Sequence, residues 1–146
     1  MITVLVLHGP NLNLLGEREP EVYGRLTLEE IDRRLVALGR DLGIAVQTRQ
    51  SNHEGELIDA LHAARGMQGV IFNPAGYTHT SVALRDAVAA IGVPVIEVHL
   101  SNTQAREDFR ARSLIAPLCK GTIAGFGWYS YALALYALKE ASAQSH

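Results

Sequence analysis

Hydrophobic positions along the chain follow two alternating rhythms. Short aliphatic and β-branched runs, such as Ile2-Thr3-Val4-Leu5-Val6-Leu7, are separated by longer stretches in which apolar residues recur every three or four positions. The first rhythm predicts buried strands and the second amphipathic helices. The clearest helix follows Thr27-Leu28-Glu29-Glu30, a capping box, and places Leu28, Ile31, Leu35, Leu38 and Leu42 on one face before Gly43 ends it. Residues 45–49 predict a second strand. Ser51-Asn52-His53-Glu54 reads as a second capping box, opening a helix with Leu57, Ile58 and Leu61 inward. Residues 69–72 predict a third strand, Asn73-Pro74-Ala75-Gly76 a turn, and residues 80–91 a helix closed by Gly92. Strands at 93–98 and 122–124 follow, with a helical piece at 104–112 between them. The chain ends on an apolar helix behind a glycine turn.

No linker, repeat or low-complexity stretch interrupts this alternation, which argues for one domain over residues 1–146. Five strands with intervening helices predict an α/β, flavodoxin-like, three-layer α/β/α fold on a five-stranded parallel sheet. A chain of 146 residues is long enough to bury about two thirds of its unfolded surface in one core.

Composition narrows the function classes. Apolar residues make up 48% and charged residues 19%, and the formal charge of −2 has no basic excess to attract nucleic acid or an anionic membrane. A single cysteine, Cys119, has no internal disulfide partner, and the first residues enter a strand without a basic, apolar leader. The expected location is cytoplasmic. Residues 121–138 carry no charge, but three glycines and three tyrosines divide them into a strand, a turn and a helix rather than a membrane span. That helix is apolar on more than one face, which predicts burial against another subunit as well as its own core. There is no metal-binding motif and no phosphate loop, and the only lysines, Lys120 and Lys139, lie in or beside the last β-α unit. No cofactor and no Schiff base is expected.

In an open parallel sheet, ligands bind outside the carboxyl ends of the strands. Those ends deliver His8, Asn11 and Asn13 after strand one, Asn73, Tyr77 and His79 after strand three, and His99, Ser101 and Asn102 after strand four. The loop from His8 to Arg25 is long for a βα connection and has glycines at Gly16 and Gly24, as a closing lid would. Within it, Tyr23 is a candidate base. A phenol ordinarily ionises near pH 10, so a tyrosinate at neutral pH needs roughly 4 kcal/mol of help, and the Arg18 guanidinium is the nearest source in sequence. The alternative for Tyr23, and the plainer reading of the residues alone, is a loop anchor with its hydroxyl bonded to backbone. His99 follows Glu97 by two residues, so both point to one strand face and the carboxylate can orient the imidazole as a general acid. The alternative is a structural histidine with its bonds satisfied. His79 reads as a helix N-cap or a substrate contact, and Asp86 as a solvated helix residue.

Leu7-His8-Gly9-Pro10-Asn11-Leu12-Asn13 and Arg18-Glu19-Pro20-Glu21-Val22-Tyr23-Gly24 resemble the opening of type II 3-dehydroquinate dehydratases. Three further blocks, Gln50-Ser51-Asn52-His53-Glu54-Gly55, residues 73–81 and residues 97–102, keep that family's order and spacing. The resemblance implies anti elimination of water from 3-dehydroquinate to 3-dehydroshikimate, in the shikimate pathway, through an enolate-like intermediate and without a cofactor. It implies that Tyr23 removes the C2 proton, Arg18 holds Tyr23 ionised, His99 protonates the departing hydroxyl with Glu97 behind it, and Asn11 holds a water at the enolate. Asn73, His79, Leu100, Ser101 and Arg110 would bind substrate. Asp86 would reach a neighbouring subunit's site in a homododecamer. The competing reading from another class is a flavodoxin-like binding or signalling module. Its receiver form would need acidic residues after strand one and a lysine after strand five, and its flavin-binding form a phosphate-cradling loop after strand one; these features are missing.

Overall fold

The computed structural model describes residues 2–17, 21 and 25–144. Five parallel strands form one sheet: β1 (Ile2–His8), β2 (Ile44–Gln50), β3 (Gly69–Asn73), β4 (Val95–His99) and β5 (Gly121–Ala124). Their order is β2-β1-β3-β4-β5, the flavodoxin-like arrangement anticipated from the alternating pattern. The helices α1 (Leu28–Leu42), α2 (Glu54–Ala63), α3 (Val82–Ala90) and α4 (Tyr129–Gln144) connect or follow the strands.

Side chains on a strand alternate between faces, so each strand feeds two cores. Val4, Val6, Ile71 and Ile96 join Ile31 and Leu35 of α1 and Leu135 of α4 on one face. Leu5, Leu7, Val70 and Phe72 join Leu57 of α2 and Leu84 of α3 on the other. The sheet is thus sandwiched between two helical layers, and its central strands are largely apolar on both faces, with buried polar residues towards their carboxyl ends. Burying each of these large side chains contributes about 1.5–3 kcal/mol.

The first helix forms as expected: Thr27 Oγ1 accepts from the Glu30 N–H at 3.2 Å, and Glu30 Oε1 accepts from the Thr27 N–H at 3.3 Å. The Thr27 hydroxyl, which also donates to Glu30 Oε1 at 3.0 Å, and then the Thr27 N–H hold the Glu30 carboxyl below the usual carboxylate range. Its Gly39 was not singled out by periodicity. A Cβ there would stand 2.6 Å from Val46 Cγ2, so the residue allows close approach of α1 to β2.

Three local expectations are corrected. The second helix starts at Glu54, after an N-cap residue, His53, that makes no side-chain capping bond. Ser51 instead accepts from the His53 N–H and donates to Glu56, while Glu54 accepts from Ser81 at 2.6 Å. The third helix starts at Val82 rather than Thr80, capped by Ser81, whose hydroxyl accepts from the Leu84 N–H. His79 therefore belongs to the preceding 3-10 turn (Ala75–His79) and is not an N-cap. Residues 104–112 form no continuous helix but parts of two 3-10 turns, Thr103–Ala105 and Asp108–Ala111. The broad apolar surface of α4 is largely covered by its own sheet: Tyr131, Ala132, Ala134, Leu135 and Leu138 are buried, while Tyr129 and Tyr136 remain exposed. Among the described residues no helix is long and apolar enough to cross a membrane.

Candidate active site

The strand order changes direction between β1 and β3, and the segments leaving their carboxyl ends part there to form a cleft of about 120 Å³. The β1 segment contributes Asn11, Leu12 and Leu15. The β3 segment contributes Asn73, Ala75 and His79, and the β4 segment His99, Leu100, Ser101 and Arg110. Seven of the expected residues are therefore brought together, with Glu97 directly behind His99. Asp86 is exposed on α3 and does not line this cleft. Tyr23 and Arg18 lie outside the described residues.

Backbone geometry brings the first two segments into contact. The Gly9 N–H donates to the Asn73 carbonyl at 2.8 Å, and a Cβ on Gly9 would stand 2.6 Å from the Pro74 oxygen. Only glycine permits that approach without movement of the β3 loop. Among the described residues, Asn11 and Ala75 are the two non-glycine residues with positive φ, 69° and 53°. Each lines the cleft, and for alanine the conformation costs about 1–2 kcal/mol. Bonds from the surroundings offset it: the Ala75 N–H donates to Asn73 Oδ1 at 3.1 Å, and the Asn11 N–H donates to Asn52 Oδ1 at 2.9 Å. Gln50 ties this corner together, donating to the Gly9 carbonyl and to Asn52.

Asn73 is 3% exposed and cannot rotate freely. Its Nδ2 donates to the Tyr131 hydroxyl at 3.1 Å, and that hydroxyl lies 2.9 Å from His8 Nδ1. His8 Nε2 in turn lies 2.8 Å from Asp32 Oδ1. Burial pushes the Tyr131 phenol well above its ordinary ionisation range. Tyr131 therefore keeps its proton, accepts from Asn73 and donates to His8 Nδ1, which leaves the His8 Nε2–H for Asp32. The chain Asn73–Tyr131–His8–Asp32 sets the direction in which the Asn73 amide faces the cleft.

On the β4 side, His99 Nε2 lies 2.8 Å from Glu97 Oε2. Glu97 is 1% exposed and His99 8%, so the pair is withdrawn from bulk water except where the ring meets the cleft. With Nε2 held by the carboxylate, Nδ1 is the nitrogen left for a ligand. His79 approaches from the β3 segment, its Nδ1 2.6 Å from the Arg112 carbonyl. Arg110 stacks on Phe109, 5.0 Å from the ring centroid, and its Nε lies 2.9 Å from Glu107 Oε2 in an ion pair without hydrogen-bond alignment. Arg106 also lines the cleft, 3.9 Å from the same carboxylate. Arg106 and Arg110 thus bring two guanidiniums to the cleft wall, the kind of group that pairs with an anionic ligand.

Sequence reasoning missed several of these parts. Arg106 had a signal, standing four residues before Arg110. Tyr131 and Asp32 had none, because their partners lie more than twenty positions away and meet them only through the sheet. Cys119 has no second cysteine in the chain to pair with. Burial, and then the charge of Glu97, push its ionisation up to about 12, which makes it a poor nucleophile. Among the described residues no group of His, Cys, Asp or Glu is arranged to hold a metal.

The arrangement suits proton transfer to a bound anionic hydroxy compound: a carboxylate-backed imidazole, oriented amides and two cations. The comparisons with known proteins agree. The family described as Dehydroquinase class II matches residues 2–139. The 3-dehydroquinate dehydratase of Rhizobium etli is 56% identical over 97% of this chain and 98% of its own length. That of Pelotomaculum thermopropionicum is 59% identical over 92% and 94%. The crystal structure of type II dehydroquinase from Propionibacterium acnes superposes with a TM-score of 0.93 at 42% identity, covering 96% of this chain and 97% of that one. With its fold, cleft and near full-length matches in agreement, this chain belongs to the class II dehydroquinase family of enzymes.

Proposed function

We propose that the chain dehydrates 3-dehydroquinate to 3-dehydroshikimate by anti elimination, with Tyr23 as base and His99 as acid. The observation that carries this reading is the buried Glu97–His99 pair, at 2.8 Å, opening onto a cleft that also holds two guanidiniums. Tyr23, as phenolate, takes the C2 proton next to the ketone, and electron density moves to the carbonyl oxygen as an enolate. Arg18 stabilises the phenolate. Asn11 holds a water at the enolate oxygen. His99, as imidazolium, gives its Nδ1 proton to the C1 hydroxyl, which departs as water while the enolate collapses to the conjugated enone. Solvent then carries a proton from Tyr23 back to His99. Acid assistance is needed because hydroxide is a poor leaving group. Arg110 with Asn73, His79, Leu100 and Ser101 binds the substrate's carboxylate and hydroxyls.

In this reading the enzyme works in the cytoplasm as a homododecamer, and Asp86, exposed on α3, reaches the cleft of an adjoining subunit. The test is the ultraviolet absorbance of the enone formed from 3-dehydroquinate. Wild-type and borohydride-treated enzyme should turn over, and Tyr23→Phe should lose at least about 100-fold in kcat. Full activity in Tyr23→Phe would remove the tyrosinate from the mechanism, and inhibition by borohydride would point to a lysine.

A further inference from the structure

Glu97 has one partner on each oxygen. Oε2 faces His99 Nε2, and Oε1 accepts from the Ser113 hydroxyl at 2.7 Å. Ser113 has no freedom in that bond. Its oxygen accepts the Ile115 N–H at 3.1 Å and the Ala116 N–H at 2.9 Å, so both lone pairs are occupied and its single proton is committed to Glu97. Glu97 Oε1 must therefore present a lone pair to Ser113. With the carboxylate ionised, Oε2 presents another to His99, which places hydrogen on Nε2 and turns Nδ1 to the cleft.

The residue before Ser113 treats the second imidazole in the same way. The Arg112 carbonyl, 2.6 Å from His79 Nδ1, has only lone pairs to offer, so Nδ1 carries hydrogen and Nε2 is the nitrogen left over. The residue after it fastens the segment, since the Leu114 N–H donates to the Thr78 carbonyl at 2.9 Å. We propose that residues 112–114 form a brace that sets the hydrogen positions on both cleft histidines, and that Ser113 is a positioning residue acting on His99 through Glu97. The catalytic meaning of this brace rests on the reading of His99 as the acid.

A serine that merely caps the turn at Ile115 and Ala116 predicts lower stability when removed. A serine that orients Glu97 predicts something further in a Glu97→Gln background. There Ser113 still donates to the amide oxygen, which turns the amide N–H₂ towards His99, forces hydrogen onto Nδ1 and blocks protonation of Nε2. The resulting loss in kcat is on the order of 10²–10⁴, as expected when a catalytic imidazole is held in the wrong tautomer. Adding Ser113→Ala frees the amide to rotate and offer its oxygen to His99. The same substitution thus lowers kcat about tenfold in wild type, with KM nearly unchanged, and raises it about tenfold in Glu97→Gln.

The experiment combines steady-state kinetics of the four proteins with ¹⁵N chemical shifts of the His99 ring. Wild type should show hydrogen on Nε2, Glu97→Gln hydrogen on Nδ1, and the double variant hydrogen on Nε2 again. Glu97→Gln, Ser113→Thr should behave like Glu97→Gln, because threonine keeps the donor. If Ser113→Ala lowers kcat in both backgrounds, or Glu97→Gln keeps hydrogen on Nε2, the positioning role is overturned. Should Ser113→Ala fail to fold, the ring shifts of Glu97→Gln decide alone. They report the arrangement whatever His99 does in turnover, whereas an active His99→Ala enzyme would sink only the acid assignment.

Discussion

Two histidines end strands on either side of β3 in nearly the same way and are placed for different work. His8 is the last residue of β1 and His99 the last of β4, and each has Nε2 within 2.8 Å of a carboxylate oxygen, Asp32 or Glu97. The difference lies at the second nitrogen. His8 Nδ1 is sealed by the Tyr131 hydroxyl at 2.9 Å and the side chain is 0% exposed, beneath Asn73. His99 Nδ1 has no bonding partner among the described residues, and the ring lines the cleft. A strand-end histidine with a carboxylate behind it is thus not yet an acid. It becomes one when the other nitrogen is left for the substrate.

The largest expected effects test this contrast directly. His99→Ala should lower kcat by on the order of 10²–10⁴, with a smaller loss of stability because the buried Glu97 carboxylate keeps its bond from Ser113. His8→Ala should do the reverse. It leaves Asp32 without its imidazole and the Tyr131 hydroxyl proton without an acceptor, and opens a hole in the fold, costing about 2–4 kcal/mol, with kcat changed only by the looser Asn73 amide. Paired kinetics and urea unfolding on both variants check it. A folded but inactive His8→Ala protein would show that the two sides are not separable.

A smaller effect concerns pH. The folded protein holds the protons of Tyr131 and Cys119 more tightly than the unfolded chain, because burial penalises both anions. Their contribution to stability is full below their ordinary ionisation range, near pH 9–10, and is lost as pH rises towards the folded values. Urea midpoints should therefore fall between pH 8 and pH 11. Tyr131→Phe should cost about 1–3 kcal/mol at neutral pH by unpairing Asn73 and His8, and should flatten the alkaline decline. A decline as steep as in wild type would place its origin elsewhere.

The same contrast explains what the sequence made legible. Glu97 and His99 are two residues apart on a strand, so period-two alternation alone puts them on one face, and the structure brings them to 2.8 Å. The strand-end rule gathered Asn11, Asn73, His79 and Ser101 because a parallel sheet fixes which edge they share. The His8 network was invisible for the opposite reason. Tyr131 and Asp32 come from α4 and α1, and their meeting depends on how those two helices pack on one face of the sheet. The two misplaced helix starts have a local cause: serines within a few residues of the expected caps compete for the same N–H groups and carboxylates. Ser81 takes the cap expected at His79, and Ser51 bonds to Glu56 rather than closing a box with Glu54. A repeated S/T-x-x-E pattern marks where a helix begins less firmly than it marks that one follows.

The smallest expected effect probes whether the His8 side depends on the helix that carries Asp32. Thr27 caps α1 five residues before Asp32, and its box with Glu30 holds the Glu30 carboxyl below its usual range. Thr27→Ala should cost about 1 kcal/mol at neutral pH, with kcat unchanged because α1 does not line the cleft. The lowered carboxyl sets the sign of the acid behaviour: its contribution is full above the ordinary glutamate range and disappears as pH falls through the depressed value. Wild type therefore loses part of the box in acid, and the gap between it and Thr27→Ala should narrow from pH 7 to pH 3.5 in urea titrations. A gap that stays constant would mean that Thr27 stabilises α1 through its backbone bond to Glu30 alone, with the carboxylate contributing nothing.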